Sequence, residues 1–243
     1  MTLDLRKHRA EVHGFGPLQD NLRQIVYGGN DGIVTTFAVV AGFAGAQSEG
    51  ILGVGALAVL LFGFANLFAD ATSMGLGEFL SSRSERDVYN KIRHQELQAI
   101  SSRPKAERDE VLAILDHHGV PDDDASQFVA VLERNPSMMA DFMMSYEFGL
   151  ANPDDTNPVT NGLFTFFSFL VFGVIPLVPY LLLPPVQTTF YVSVAATFAA
   201  LFSLGILRWF ATKERLKAAL AETVLVGGVC AGVAYLVGVA FTI

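Results

Sequence analysis

The chain has 243 residues, 51% of them hydrophobic, with a formal charge of −8 and a single cysteine. Several apolar runs reach the roughly 20 residues that cross a bilayer, which excludes an ordinary water-soluble domain. The acidic balance excludes nucleic acid as a partner, and one cysteine excludes a disulfide framework or a Cys-based metal site within the chain.

Residues 1–24 mix charges with glycine and proline and hold no apolar core of a cleavable signal, so an amphipathic segment at the membrane surface is expected. Apolar patterning then gives five spans, at 25–47, 51–83, 160–183, 186–209 and 219–243. The first opens with Tyr27-Gly28-Gly29-Asn30-Asp31-Gly32, where Asn30 or Asp31 either caps the helix or serves a pathway. Small residues after Thr35 and Thr36 imply a close-packed partner helix.

The second span organises the rest. Asn66, Asp70, Met74 and Glu78 recur every four residues, so on a helix they form one slanting stripe, drifting by roughly 40° per step. A carboxylate near the middle of a membrane helix costs about 2.5–3.5 kcal/mol, so Asp70 needs a compensating role, and coordinating a cation is one.

Beyond Arg83 the helical pattern runs on without a breaker through Glu96. Pro104, Pro121 and Pro136 then mark the starts of three short helices, near 105–118, 122–134 and 137–150, before a linker at 152–158. Val111, Leu112, Ile114, Leu115, Phe128, Val129, Val131 and Leu132 are expected to be their core. The chain thus divides into an N-terminal segment (1–24), spans one and two (25–83), a cytoplasmic helical domain (84–158) and spans three to five (159–243).

That helical domain carries Glu96, Glu107, Glu110, Met143 and Glu147. Glu107 and Glu110 stand three apart, and Met143 and Glu147 four apart, spacings at which two side chains on one helical face can hold one cation. Oxygen donors with a thioether suit a divalent transition metal better than Ca²⁺ or Mg²⁺. The plain alternative is a solvated acidic face, with Met138, Met139, Met143 and Met144 as adaptable packing. His117 and His118 favour a helix C-terminus before Gly119, and His94 is left open.

In the third span Pro176 and Pro179 must break the helical ladder and be covered by neighbours, a feature that often borders a transport pathway. Glu222, early in the fifth span, either faces the pathway or lies near the interface, and Cys230 reads as a small buried hydrophobe. Basic residues test the span count: all 16 fall on one side of the five spans, which makes the N-terminus and residues 84–158 cytoplasmic and puts the C-terminus outside. The long cytoplasmic segment holds 15 of the 24 acidic residues.

With these pieces placed, the sequence resembles the vacuolar iron transporter family over nearly its whole length from Tyr27. The resemblance is carried by Gly29-Asn30-Asp31-Gly32 with Thr35 and Thr36, and by Ser73-Met74-Gly75-Leu76-Gly77. It continues in Asp141-Phe142-Met143-Met144 with Glu147, in Ile175-Pro176-Leu177-Val178-Pro179-Tyr180, and in Gly227-Gly228 through Ala234-Tyr235. It implies five spans, a homodimer with the Fe²⁺ or Mn²⁺ path between subunits, and proton exchange as the driving force. Asp31 and Met74 match the family's intramembrane metal-binding Asp and Met. Glu96, Glu107, Glu110, Met143 and Glu147 match ligands of its cytoplasmic domain. Asn66 stands where the family has a Glu, with Asp70 one turn later in place of a small residue. Ala99 stands where another cytoplasmic Glu is expected, and Glu78 matches no family role.

The expectation is therefore an all-α polytopic membrane protein that exports Fe²⁺ or Mn²⁺ from the cytosol against protons. It is a homodimer in the lipid bilayer of a cell inner membrane, not an enzyme, with no cofactor beyond the ion it moves. A membrane-bound di-metal oxidase would need Glu-x-x-His pairs, and His94–Glu96 and Glu110–His117 have the wrong spacing. A non-transporting metal sensor or storage protein is the alternative, but it leaves Asp70 and the broken third span unexplained.

Overall fold

The computed structural model describes residues 8, 12, 16–45, 52–153, 157–184, 186–213 and 215–240. Most of the expected N-terminal amphipathic segment, the 46–51 connection and residues 241–243 lie outside them. Among the described residues the regular structure is helical. A short α1 (Pro17–Asp20) precedes α2 (Leu22–Gly45) and α3 (Leu52–Ser102), and α4 (Pro104–His117), α5 (Asp122–Glu133) and α6 (Pro136–Tyr146) follow. Then come α7 (Pro158–Gly173), a 3-10 turn (Ile175–Leu177), α8 (Val178–Leu182), α9 (Gln187–Thr212) and α10 (Leu216–Ala240).

The chain divides into two compact units, Met1–Phe79 with Val159–Ile243, and Leu80–Pro158. Among the described residues four helices are long and apolar enough to cross a membrane, over Ala56–Ser102, Pro158–Leu182, Gln187–Thr212 and Leu216–Val237. The first expected span forms as α2 but is not one of these four. Asn30, Asp31 and the glycines around them dilute its apolar character, and they lie well inside the helix, which rules out the reading of Asn30 or Asp31 as its cap.

In the first unit, Phe37, Val40 and Ala41 of α2 pack with Val59, Leu67 and Ala71 of α3 and with Phe169 of α7. Ile33 on α2 meets Ala200, Leu201 and Leu204 of α9 in a second cluster. Close approach depends on glycine. A Cβ on Gly162 of α7 would stand 2.6 Å from the Gly75 carbonyl of α3, and a Cβ on Gly32 would meet the backbone of Phe169. The third expected span is broken as its prolines require, into α7, the 3-10 turn and α8. At the break the Pro176 carbonyl accepts a 2.6 Å hydrogen bond from the buried Ser193 hydroxyl of α9.

In the second unit, Pro104 and Pro136 occupy the first turns of α4 and α6, where a missing N–H costs nothing. Asp122, Asp123 and Asp124 open α5, where carboxylates favour the positive end of the helix. The chain leaves α4 through Gly119 at φ +74°, a conformation that favours glycine. The core joins Ile100, Val111, Leu115, Ala125, Val129, Leu132, Met139, Ala140 and Met143. Three expected core residues are not in it: Ile114 is only partly buried, and Phe128 and Val131 are exposed, since Ala125, Val129 and Leu132 define the inward face of α5 and their neighbours turn away. Buried methionines of α6 fill that volume instead.

Candidate metal sites

Two groups of donors can be built up, one in each unit. In the first, α2 and α3 lie side by side and each carries polar groups on an otherwise apolar helix. At one level the Gln24 Nε2 donates to Glu78 Oε1 at 3.0 Å. At another, Asp31 lies within electrostatic reach of Asp70. From Gln24 to Asp31 is seven residues and from Glu78 to Asp70 is eight. Both steps cover about 10–12 Å along a helix, as antiparallel neighbours require.

The expected stripe is thus present as a seam. Asp70 accepts a 2.6 Å hydrogen bond from Asn66 Nδ2 one turn away, so Asn66 orients the carboxylate and adds no charge. Met74 is partly buried against the Phe37–Leu67–Phe169 cluster, between the Asp70 and Glu78 levels. Thr35 donates to the Asp31 backbone carbonyl at 2.8 Å, leaving the Asp31 side chain to other partners. Asn66 also lines an open cleft of about 640 Å³ between the two helices, with Ala38, Gly42, Phe43, Phe62 and Ala65.

In the second unit the five candidate ligands differ sharply in exposure. Glu107 and Met143 are fully withdrawn from water, Glu96 is half-buried, and Glu110 and Glu147 are exposed. Glu107 and Glu110, three apart on α4, do not share a fate: Glu107 faces inward beside Val111 while Glu110 faces water. Glu147 sits just past the end of α6, at its C-cap, its N–H bonded to the Met143 carbonyl at 2.9 Å.

Glu107 is the most constrained of them. Its side chain is 2% exposed; among the described residues Oε2 has no hydrogen-bond partner, and Oε1 has the Arg103 guanidinium at 3.6 Å, itself 69% exposed. Burial and the charges of Glu110 and Glu96 raise its carboxyl above the usual range, partly offset by Arg103. Glu96 is raised by burial, then by Glu147 and Glu110, and Glu147 by burial, then by Glu110 and Glu107. The four glutamates therefore lie within one another's field. They do not yet ring a point, since no three His, Cys, Asp or Glu side chains among the described residues stand as a ready metal-holding group.

Sequence reasoning missed Arg93. Its Nε donates to Asp141 Oδ1 and its Nη2 to Ser137 Oγ, both at 2.7 Å, which ties α6, and so Met143, to α3. Charge pairing 48 residues apart leaves no local signal in a sequence. Gln24 was missed for the same reason: its partner Glu78 is 54 residues away. His94, by contrast, meets its own helix, at 3.0 Å from Gln98 Nε2.

Fold and donors together define a class, a polytopic helical membrane protein with oxygen-donor side chains on its apolar helices and in an acidic helical unit. The model of the VIT family matches residues 22–239, and the chain belongs to that family. It is similar to "Vacuolar iron transporter 1" of Arabidopsis thaliana, 33% identical over 231 residues, covering 95% of this chain and 89% of the relative. It is likewise similar to "Vacuolar iron transporter" of Plasmodium falciparum (isolate 3D7), 33% identical over 245 residues, covering 97% and 86%. A third relative, "Vacuolar iron transporter 1" of Oryza sativa subsp. japonica, is 32% identical over 214 residues, covering 88% and 82%.

Proposed function

We propose that the protein is a proton-coupled transporter that exports Fe²⁺ or Mn²⁺ from the cytosol, working as a homodimer with α2 as the first of five spans. Family membership and the relatives' names support transport of a transition-metal ion. The observation that carries the reading for this chain is Glu107. A buried carboxylate with an unpartnered oxygen, crowded by other carboxylates, is an arrangement that a divalent cation satisfies.

In this reading Glu96, Glu107, Glu110, Met143 and Glu147 take up the ion on the cytoplasmic side, and Asp31, Asp70 and Met74 pass it through the membrane. Carboxylates couple the two fluxes because proton and metal compete for the same oxygens, so protonation from the acidic or outer side releases the ion. Met74 and Met143 favour transition metals, since Mg²⁺ and Ca²⁺ gain little from sulfur. The relatives are vacuolar by name, and the expected cell inner membrane finds no support in those names. The proposal is for a membrane separating the cytosol from an acidic or outer compartment.

Proteoliposomes loaded with a pH dye test this. Native protein should take up Fe²⁺ or Mn²⁺ with opposing proton flux, and Asp31→Ala should abolish both. No uptake by the native chain, with metal still bound by the cytoplasmic glutamates, would replace transport with sensing or storage.

A further inference from the structure

Glu78 is a carboxylate on an apolar helix that the pathway of Asp31, Asp70 and Met74 does not use. Its partner Gln24 is 7% exposed, and the two atoms of the Gln24 amide have opposite fates. Nε2 donates to Glu78 Oε1 at 3.0 Å, while Oε1 is buried with no hydrogen-bond partner among the described residues. Were the pair only a strut between α2 and α3, a buried amide oxygen left without a donor would weaken it. A carboxylate and an amide held side by side on facing helices, with the amide oxygen left over, instead offer a pair of oxygen ligands to a hard or borderline cation.

The position adds to this. Glu78, Met74 and Asp70 follow one another every four residues on α3, so each step is about 6 Å along one face. Met74 therefore stands between two carboxylate levels, each with a polar partner on α2: Gln24 at Glu78, Asp31 at Asp70.

We propose that Gln24 and Glu78 form a further divalent-cation site on the α2–α3 seam, which the ion occupies before or after Asp31 and Asp70, with Met74 between the two. The order of occupancy rests on the transport reading, whereas the site itself does not. Glu78 is a direct ligand. Gln24 both positions Glu78 through Nε2 and offers Oε1 to the ion.

The test compares Mn²⁺ transport by full-length protein in proteoliposomes with equilibrium Mn²⁺ binding by the same protein in detergent. Glu78→Gln preserves shape and can still pair with Gln24 amide to amide, so that contact survives while the charge is lost. The expected result is a half-saturating Mn²⁺ concentration raised about tenfold or more, with one fewer Mn²⁺ bound at equilibrium. Glu78→Asp, which keeps the charge on a shorter arm, should fall between, and Gln24→Leu should weaken Mn²⁺ about tenfold with Glu78 intact. Unchanged half-saturation and stoichiometry in Glu78→Gln would overturn the site. If native protein does not transport Mn²⁺, the transport reading fails, and the binding stoichiometry of Glu78→Gln still decides this one. If Glu78→Gln does not elute as a single species, Glu78→Asp and Gln24→Leu decide it by the same binding measurement.

Discussion

At the scale of single residues, Glu107 sets the terms for the acidic unit. Its charge is buried against other negative charges with one remote arginine for support, so in the absence of a cation the ionised form opposes folding. Glu107→Gln keeps the volume and removes the charge. The variant should be more stable than native protein without metal, by about 1 kcal/mol, and should lose the stabilisation that Mn²⁺ gives. Thermal melts of the full chain in detergent, with chelator and with Mn²⁺, measure both. A less stable metal-free variant would show that Glu107 is held by interactions worth more than its burial costs. The sequence placed Glu107 among the candidate ligands but could not distinguish it from Glu110, since three-residue spacing says that two side chains share a side of a helix and not which one faces the core. Phe128 and Val131 illustrate the same limit. Their apolar character made them core candidates, but the inward face of α5 belongs to Ala125, Val129 and Leu132, and methionines of α6 supply the rest.

At the scale of elements, what could be read was whatever depends on local chain chemistry. The uninterrupted run from the second span into the acidic unit is one helix, α3, and the prolines at 104 and 136 open helices where expected. Pro176 and Pro179 break the third span. What could not be read was where two elements touch. The glycines around Asn30 and Asp31 resembled a helix start, yet Gly32 lies mid-helix because α7 passes so close that no side chain fits. Gly162 is the counterpart of this on α7, its hypothetical Cβ 2.6 Å from the Gly75 carbonyl. Gly162→Ala should therefore force α3 and α7 apart and destabilise the protein by about 1–3 kcal/mol, the usual cost of overpacking. Gly77→Ala, on the same helix as Gly75 but with nothing within 4 Å, should be neutral or stabilising by up to about 1 kcal/mol. Melting both variants side by side separates a helix contact from a general intolerance of substitution, and equal losses would refute the contact.

At the scale of the whole molecule, the proposed function requires the acidic unit to link proton and metal, and its own stability offers the means. Glu96, Glu107 and Glu147 are each held above the usual carboxylate range, by burial first and by neighbouring glutamates second. A carboxyl raised on folding favours the fold when it carries its proton. Its contribution is full below the unfolded-state value, near 4.3 for a glutamate as an approximate reference, and is lost as pH rises through the higher folded value. Metal-free protein should for that reason become less stable as pH rises from the unfolded-state value through the folded one. Mn²⁺ should restore stability at neutral pH by replacing the protons, and its effect should shrink as pH falls because protons then hold the same oxygens. Calorimetric titration of Mn²⁺ into the full chain at pH 6, in buffers of different ionisation enthalpy, measures the protons released on binding. The release should be smaller in Glu107→Gln than in native protein, because one carboxyl has been removed from the competition. Binding without proton release at that pH, together with metal-free stability that rises towards neutral, would mean that the glutamates are not crowded enough to exchange one ion for the other, and would leave the proposed coupling to Asp31 and Asp70 alone.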